Sequence, residues 1–340
     1  MLLWKASEFY TLLLFCQKKI DFRKKVEKVI LLFETFTYSM QELNLQDILK
    51  NTTDLKEKNV GYVAIIGRPN AGKSTFINTL IGEKIAITSS VPQTTRNKIL
   101  AMYNDKDAQV IFFDTPGIHE STKTFNSEIN NQALSSLRDA EIVLYFIDSS
   151  RPTGTEEEYI ADILTKINTP VYRVYTKRDL HPAIDIPAGA NIFEISSFEN
   201  SWFQPLLDAI KEKLPTWPIL FPEDYYTKQD IYFRVSEIIR EKLFDNLKEE
   251  LPHSVFVAVE ELEDDEKGMK RISAYIYTET DSQKYIVIWK WGTLITKVWT
   301  LARKELEEIF GQKVFLSVRA KVRKNWRKDE WFIRKMLKHN

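Results

Sequence analysis

A glycine-rich run that ends in a lysine and two hydroxyl residues is the clearest chemical signal in the sequence. Gly67-Arg-Pro-Asn70-Ala71-Gly72-Lys73-Ser74-Thr75 fits the pattern G-x-x-x-x-G-K-[ST] and lies between a predicted strand and a predicted helix. Backbone N–H groups in such a turn point inward at phosphate oxygens, and the helix N-terminus adds partial positive charge. The run therefore predicts a nucleoside triphosphate site in which Lys73 contacts the β- and γ-phosphates and Ser74 offers its hydroxyl to Mg²⁺.

Two later segments supply groups that would complete a metal and switch site. Asp114 follows a predicted strand in the run Asp114-Thr-Pro-Gly117, where its carboxylate can hold Mg²⁺ through water and the Gly117 N–H can sense the γ-phosphate. In the polar loop Pro92–Arg96, a threonine hydroxyl can join the Mg²⁺ shell only while the γ-phosphate is present, and we favour Thr95 over Thr94. The predicted catalytic residues are thus Lys73, Thr95 and Gly117, and the predicted metal ligands are Ser74, Thr95 and Asp114.

A third pair of segments carries groups that select the base. Thr176-Lys177-Arg-Asp179 ends one predicted strand, and Ser196-Ser197 ends the next. The Asp179 carboxylate can accept hydrogen bonds from N1–H and the 2-amino group of guanine, whereas adenine offers neither donor. The Lys177 stem can lie against the base, and a backbone N–H at the serine pair can bind guanine O6. The spacing therefore predicts GTP rather than ATP.

The elements that must position these segments follow from hydrophobic runs and their spacing. Strands are predicted at Val60–Ile66, Ile99–Tyr103, Gln109–Phe113, Ile142–Ile147, Val171–Tyr175 and Ile192–Ile195, and helices at Lys73–Ile81, Asn126–Arg138, Glu156–Lys166 and Trp202–Lys213. This alternation predicts an α/β fold whose mostly parallel sheet has helices on both faces, and the phosphate and base motifs make it a P-loop GTPase domain. Ligands bind beyond the carboxyl ends of the strands in such sheets.

A smaller α+β domain is predicted after a proline-rich linker. Pro215, Pro218 and Pro222 follow one another closely, which places a stiff linker at 215–230 between domains at 58–214 and 231–340. The second domain is predicted to contain a helix at Ile231–Leu247, antiparallel strands at Ser254–Leu262 and Arg271–Thr280, two helices at Ser282–Ile288 and Thr293–Phe310, a strand at Val314–Val322 and a closing helix at Trp331–Lys338.

Composition and charge fit two packed domains with a polyanion partner at one end. The 340 residues carry 48 basic and 48 acidic side chains, but ten Lys or Arg against two Asp or Glu lie between Lys313 and the C-terminus. Cys16 is the single cysteine, which excludes a disulfide framework and a cysteine-based zinc site. No apolar run reaches the roughly 18 residues that a bilayer span needs.

The N-terminal extension, residues 1–57, is open to two interpretations. It is either a helical extension or upstream sequence read from too early a start, with Met40 as the initiator. We favour the second interpretation because the recognisable fold begins at Val60. The short apolar run at 12–16 precedes most of the basic residues of this extension, the reverse of a secretory signal.

Read in order, these motifs resemble the Era family of bacterial ribosome-assembly GTPases. The similarity rests on the three segments at 67–75, 92–96 and 114–117, and it continues in Phe221–Tyr225, Ser236–Leu243, Leu251–Val255 and Ala302–Lys304. It implies GTP and Mg²⁺ as cofactors, with K⁺ as a further candidate that Asn70 would help bind in place of an arginine finger. It also implies a KH-type RNA-binding domain that binds 16S rRNA and the 30S subunit precursor. The implied protein is a cytoplasmic monomer that binds no DNA and can contact the inner face of the membrane.

Three departures from the family pattern bear on that resemblance. The family's Asn-Lys-x-Asp is Thr176-Lys-Arg-Asp179, which keeps a hydroxyl but loses an amide that ties the base loop to the P-loop. This change would reduce GTP affinity, while the preference of Asp179 for guanine should survive. The family's Ser-Ala is Ser196-Ser197, a mild change. The Gly-x-x-Gly that clamps RNA backbone in KH domains is here Trp289-Lys290-Trp291-Gly292, which we call the clamp segment.

Two interpretations of the clamp segment stay open. Either the tryptophan rings stack on bases with Lys290 on a phosphate, or they pack on their own domain and weaken the clamp. The basic tail, which includes Arg323 and Lys324 beside Trp326, is the other predicted RNA contact, and a solvated charged face is the alternative that stays open for it.

Two further functions stay open beside a GTP-hydrolysing switch that assists 30S maturation. One is a GTPase of another branch that acts in tRNA modification or at a membrane and has no affinity for rRNA. The other is a nucleotide-gated RNA-binding module with negligible hydrolysis. Single-turnover GTP hydrolysis with and without a 30S precursor separates the latter from the switch.

Overall fold

The computed structural model describes residues 57–88, 99–115, 137–247, 251–266, 268–324 and 326. The first half is a mostly parallel sheet in the order β2-β3-β1-β4-β5-β6. Its strands are β1 (Glu57–Gly67), β2 (Ile99–Asn104), β3 (Ala108–Asp114), β4 (Ile142–Asp148), β5 (Val171–Thr176) and β6 (Ile192–Glu194). Within this order β2 alone runs antiparallel to its neighbour, so the predicted α/β class is confirmed.

The order of the strands places a crevice at the carboxyl end of β1. This strand lies between β3 and β4, because the chain moves to one side of β1 for β2 and β3 and to the other side for β4 to β6. A crevice at such a reversal is the usual ligand site of an open α/β sheet. The segments predicted to bind nucleotide follow β1, β3, β5 and β6, which are parallel strands, so these segments lie together at the carboxyl ends of the strands.

Aromatic packing fixes the helix that carries the predicted phosphate-binding lysine. The helices of this half are α1 (Lys73–Ile81), α2 (Thr155–Thr165) and α3 (Gln204–Lys213). Phe76 of α1 is fully buried and packs edge-on against Phe112 of β3, Phe146 of β4 and Phe203 before α3. This contact holds the first turn of α1 against the sheet. The predicted helix at Asn126–Arg138 lies almost wholly outside the described residues.

The segment predicted as a stiff linker is packed against the first sheet. Residues Thr216–Pro218 form a short strand, β7, which pairs antiparallel with the start of β1. The buried side chain of Gln109 then accepts hydrogen bonds from the N–H groups of Leu220 (2.7 Å) and Phe221 (3.0 Å). Apolar side chains between the prolines drive this docking, since Trp217, Leu220 and Phe221 pack on a small cluster of β1, β2 and β3 residues.

The second half is a three-stranded sheet packed against two long helices. Its elements are α4 (Ile231–Asn246), α5 (Leu251–Ser254), β8 (Phe256–Asp264), β9 (Lys270–Thr278), α6 (Asp281–Phe310) and β10 (Val314–Val322). The sheet order is β10-β9-β8, with β8 antiparallel and β10 parallel to β9. α4 packs on β8, α6 packs on β10, and the two helices pack on each other, which buries one face of the sheet.

The prediction of two helices separated at the clamp segment is wrong. α6 is continuous from Asp281 to Phe310, capped at its start by Thr280 and Gln283 and at its end by Gly311 with φ 62°. With Trp289 in place of a glycine, Gly292 is the one glycine in this sequence range, and a single glycine costs a helix only about 1 kcal/mol relative to alanine. The backbone therefore stays helical through the clamp segment.

The described residues contain neither a membrane-spanning helix nor an acidic, histidine or cysteine cluster for a metal. None of their helices is long and apolar enough to cross a bilayer. No three of their His, Cys, Asp and Glu side chains lie close enough together to hold a metal ion. The extension predicted at 1–57 lies outside the described part of the chain except for Glu57, which begins β1.

Candidate active site

The turn between β1 and α1 has the backbone geometry of a phosphate cradle. Asn70 (φ 61°) and Gly72 (φ 88°) both adopt left-handed conformations, which turn successive N–H groups towards one side. A Cβ atom on Gly72 would lie 2.8 Å from Ser197 Oγ, and one on Gly67 would lie 2.6 Å from the Phe146 carbonyl oxygen. Close approach of neighbouring segments therefore requires both glycines.

Lys73 is buried inside this cradle. Its Nζ donates hydrogen bonds to the carbonyl oxygens of Gly67 (2.9 Å) and Arg68 (2.8 Å). Burial lowers the pKa of Lys73 to about 8, although the Asp114 carboxylate acts in the opposite direction. A desolvated ammonium held among backbone groups at a helix N-terminus is a suitable partner for phosphate oxygens.

Ser74 and Asp114 lie together, as the metal prediction requires. The Ser74 hydroxyl donates to Asp114 Oδ2 over 2.7 Å, and Asp114 is fully buried at the end of β3. Burial raises the pKa of Asp114 to about 6, while the Ser74 hydrogen bond and Lys73 oppose the increase. Asp114 Oδ1 has no hydrogen-bond partner among the described residues. A hydroxyl beside a buried carboxylate oxygen of this kind fits Mg²⁺, which prefers oxygen ligands.

Thr176 makes a contact that the sequence did not reveal. Its side chain is fully buried, and its hydroxyl donates to the Ala71 carbonyl oxygen over 2.9 Å, with the Ile147 carbonyl oxygen at 3.3 Å. The expectation that threonine loses the tie between base loop and P-loop is therefore wrong. The hydroxyl reaches the P-loop backbone because Thr176, the last residue of β5, lies against Ala71.

Arg68 and Asp148 form a second tie between the two loops. Asp148 Oδ2, at the end of β4, accepts hydrogen bonds from Arg68 Nη2 (3.0 Å) and Lys177 Nζ (2.8 Å). Arg68 also pairs with Glu157 of α2 at 2.9 Å, and Arg68, Asp148 and Glu157 are all buried. Burial alone would raise the pKa of Asp148, but hydrogen bonds from Lys177, Ser150 and Arg68 hold it below its ordinary value.

These two residues were missed because their roles depend on tertiary contact. Arg68 occupies a variable position of the glycine-rich motif, and Asp148 belongs to none of the motifs. The position of Asp148 at the carboxyl end of a strand was the one available indication, since that edge of the sheet carries the ligand site.

The base-selecting side chains meet at the ends of β5 and β6. Ser196 Oγ donates to Asp179 Oδ1 over 2.9 Å, which orients the carboxylate predicted to bind guanine. Ser196 and Ser197 are both buried, and Lys177 adopts a left-handed conformation with φ 60°. The Ser196 hydroxyl thus has a positioning role in addition to the backbone contact predicted at the serine pair.

Two predicted switch residues and the clamp side chains cannot be compared with the structure. Thr95 and Gly117 lie outside the described residues, as do the side chains of the clamp segment. Their assigned roles stay predictions.

The basic tail is described as far as residue 326. Lys324 is exposed just after β10, whereas the Arg323 N–H donates to the Thr278 carbonyl oxygen over 2.8 Å. Trp326 is only 2 % exposed, and its Nε1 donates to the Ser254 carbonyl oxygen over 3.1 Å. This burial makes Trp326 a packing residue, which corrects its assignment to the RNA-contacting tail.

Comparison with known proteins agrees with this geometry. The family model described as "50S ribosome-binding GTPase" matches residues 62–177, and the model described as "KH domain" matches residues 250–327. GTPase Era of Lacticaseibacillus paracasei is 39% identical over a 292-residue alignment that covers 83% of this chain and 97% of that protein. The chain belongs to the Era family of GTPases. GTPase Era of Thermotoga petrophila is 38% identical over 80% of this chain and 95% of its own length.

Solved structures of this family have the same architecture. The structure of Era in complex with MgGDPNP and nucleotides 1506–1542 of 16S ribosomal RNA has a TM-score of 0.75 at 34% identity, covering 82% of this chain and 98% of that one. The structure of an Aquifex aeolicus Era variant bound to GDP·AlF4⁻ has the same TM-score and identity, covering 81% and 98%. As an Era-family member, the chain is a GTP-binding GTPase with a C-terminal KH domain.

Proposed function

We propose that this Era-family GTPase is a switch that binds small-subunit rRNA and assists maturation of the 30S subunit. The proposal rests on the presence of a P-loop site and a KH-type α+β half in one chain. The fold of this chain is similar to that of Era in its structure with MgGDPNP and 16S rRNA nucleotides. Hydrolysis at the first half would then set how the second half engages RNA.

The proposed hydrolytic site works by positioning and charge neutralisation. Lys73 contacts the β- and γ-phosphates, and the N–H groups of the turn at 67–75 bind the remaining phosphate oxygens. Ser74 and Asp114 would hold Mg²⁺, which would supply Lewis-acid neutralisation of the phosphate charge. Thr95 and Gly117 are proposed to bind the metal and the γ-phosphate respectively.

The proposed base site selects guanine through Asp179. Its carboxylate, oriented by Ser196, accepts from guanine N1–H and the 2-amino group, while Lys177 lies along the base. The Thr176 hydroxyl and the Arg68–Asp148–Lys177 bridge hold this loop against the P-loop, so the threonine does not by itself predict weak GTP binding.

K⁺ is proposed as an accessory ion at Asn70. Asn70 is the fourth residue of the phosphate-binding run that begins at Gly67, and its backbone is left-handed. A cation there would neutralise developing phosphate charge as an arginine finger does. Faster single-turnover GTP hydrolysis in K⁺ than in Na⁺ supports this role, and equal rates in both salts remove it.

RNA binding is proposed for the second half through side chains rather than a glycine clamp. The continuous helix α6 keeps the backbone at 289–292 helical, so contacts would come from Trp289, Lys290 and Trp291 and from Arg323 and Lys324 after β10. We further propose a cytoplasmic monomer without DNA affinity, with any membrane contact limited to the inner face.

Two measurements test this proposal. Crosslinking of the full chain to total RNA, followed by sequencing, should enrich the 3′ region of 16S rRNA. Single-turnover GTP hydrolysis should change when 30S precursor is added. Enrichment of tRNA, or recovery with membranes without rRNA, would instead indicate a GTPase of another branch. RNA binding without measurable hydrolysis would indicate a nucleotide-gated binding module.

A further inference from the structure

A buried carboxylate of the second half holds the segment that leads into the Thr95 loop. Glu241 of α4 is 3 % exposed, and its Oε1 accepts a hydrogen bond from the Thr88 N–H over 3.0 Å. Its other oxygen accepts from the ammonium groups of Lys84 and Lys242. Both oxygens are therefore occupied, and the contacts with Thr88 and Lys84 join α4 to the chain between α1 and β2.

The same segment is fixed from the nucleotide-binding half. Asn78 of α1 accepts hydrogen bonds from the N–H groups of Ile85 (3.0 Å) and Ala86 (2.9 Å) and donates to the Ala86 carbonyl oxygen (2.7 Å). Ile85, Ala86 and Ile87 are all buried. Asn78 anchors the segment as far as Ala86, and at Thr88 the anchoring group changes to a residue of α4.

The charges around Glu241 balance. Glu305 of α6 pairs with Lys84 and Lys242, so two carboxylates meet two ammonium groups. Arg234 of α4 also donates to the Lys84 carbonyl oxygen at 3.4 Å. Burial alone would raise the pKa of Glu241, but hydrogen bonding to Lys84 holds it below its ordinary value, so the carboxylate is ionised at neutral pH. An ionised, buried acceptor makes a strong hydrogen bond to a backbone N–H.

Thr88 lies close in sequence to the residue predicted to switch. It is seven residues before Thr95, which is predicted to join the Mg²⁺ shell only with the γ-phosphate. A bond that fixes Thr88 reduces the number of positions open to a residue seven places later in the chain. A group that fixes Thr88 therefore favours the catalytic placement of the loop without touching the nucleotide.

We propose that Glu241 is a positioning residue for GTP hydrolysis, supplied by the KH half through its hydrogen bond to Thr88. Glu241 should support the binding and hydrolysis of GTP more than the binding of GDP, because the predicted Thr95 contact requires the γ-phosphate. This inference rests on the GTPase activity and on the predicted role of Thr95, and it does not depend on which RNA is bound.

The test compares Glu241→Ala and Glu241→Gln with a matched control on the same helix, all in the full chain. Glu237→Gln removes a carboxylate of α4 that pairs with Arg240 of the same helix. Single-turnover GTP hydrolysis is measured with Mg²⁺, together with calorimetric affinities for GDP and a non-hydrolysable GTP analogue. For E241A we expect hydrolysis about tenfold slower and a similar loss of analogue affinity, with GDP affinity within about twofold of wild type.

The variants distinguish positioning from a merely structural role. E241Q keeps the volume and one acceptor oxygen, so we expect a smaller loss in the same direction, and E237Q should hydrolyse GTP as wild type does. An E241A protein with a lower melting temperature but unchanged hydrolysis overturns the proposal, as does equal loss of GDP and analogue affinity. If E241A does not fold, Glu241→Asp replaces it, because the shorter side chain withdraws the acceptor from the Thr88 N–H. Wild-type hydrolysis and wild-type analogue affinity in E241D overturn the proposal.

Discussion

The hydroxyl of Thr176 gives the sharpest test of how the base loop is held. Thr176→Val keeps the branched shape of a fully buried side chain but removes the donor to the Ala71 carbonyl oxygen, 2.9 Å away. Removing one partner of such a hydrogen bond leaves a buried acceptor unpaired, which costs about 1–3 kcal/mol in all. We expect about 1.4 kcal/mol of this loss to reduce binding, which weakens GTP and GDP about tenfold each.

Both nucleotides should weaken together because the tie supports the P-loop and base loop in either state. Calorimetry with a GTP analogue and GDP in Mg²⁺ measures this, and thermal melting of the nucleotide-free protein separates binding from stability. Thr176→Ser keeps the hydroxyl and should bind near wild type, and Thr165→Val removes an exposed hydroxyl of α2 as the matched control. Unchanged affinities in Thr176→Val, with unchanged stability, would refute the idea that this hydroxyl links the loops.

Three further predictions concern the nucleotide-binding half and its contact with α4. Gly72→Ala should lower affinity for both nucleotides by roughly tenfold or more in calorimetry, since φ is 88° and the added Cβ would lie 2.8 Å from Ser197 Oγ. Asp179→Asn should shift preference from guanine to xanthine nucleotides in competition binding, and retained GTP selectivity would contradict the base assignment. Because the folded-state pKa of Glu241 is depressed, its contribution to stability is present above about pH 4.5 and is lost as pH falls through the folded value. The melting-temperature gap between wild type and Glu241→Gln should therefore close on acidification.

The phosphate site could be predicted from sequence because its signals are local. The strand, the glycine-rich turn and the helix after it follow one another along the chain, and α1 matches the predicted bounds Lys73–Ile81. The pairing of Ser74 with Asp114 follows from parallel strands ending at one edge of the sheet. The glycine-rich motif, the strand and helix around it, and the carboxyl ends of the parallel strands all indicate the same site. Such agreement between independent signals makes a site predictable from sequence.

The contacts between loops could not be predicted because each joins residues far apart in sequence. Thr176 and Ala71 are separated by 105 positions, and Arg68 and Asp148 by 80. Residue type gave the wrong expectation at Thr176, since a hydroxyl suffices where the two backbones lie close together. The packing of the linker was missed in the same way, because its three prolines indicate stiffness but carry no information on the Gln109 side chain that binds it.

The continuous helix α6 shows how one residue changes what an RNA-binding motif can do. A Gly-x-x-Gly loop lets RNA phosphates approach backbone N–H groups, and this requires the helix to break. In a helix, the N–H groups at 289–292 are already paired with carbonyl oxygens one turn earlier, so they are not available to phosphates. Any RNA contact at this segment must therefore use side chains, whose stacking tolerates different bases. If the KH half binds RNA through this segment, it does so through side chains, whereas the phosphate cradle of the nucleotide half relies on backbone N–H groups.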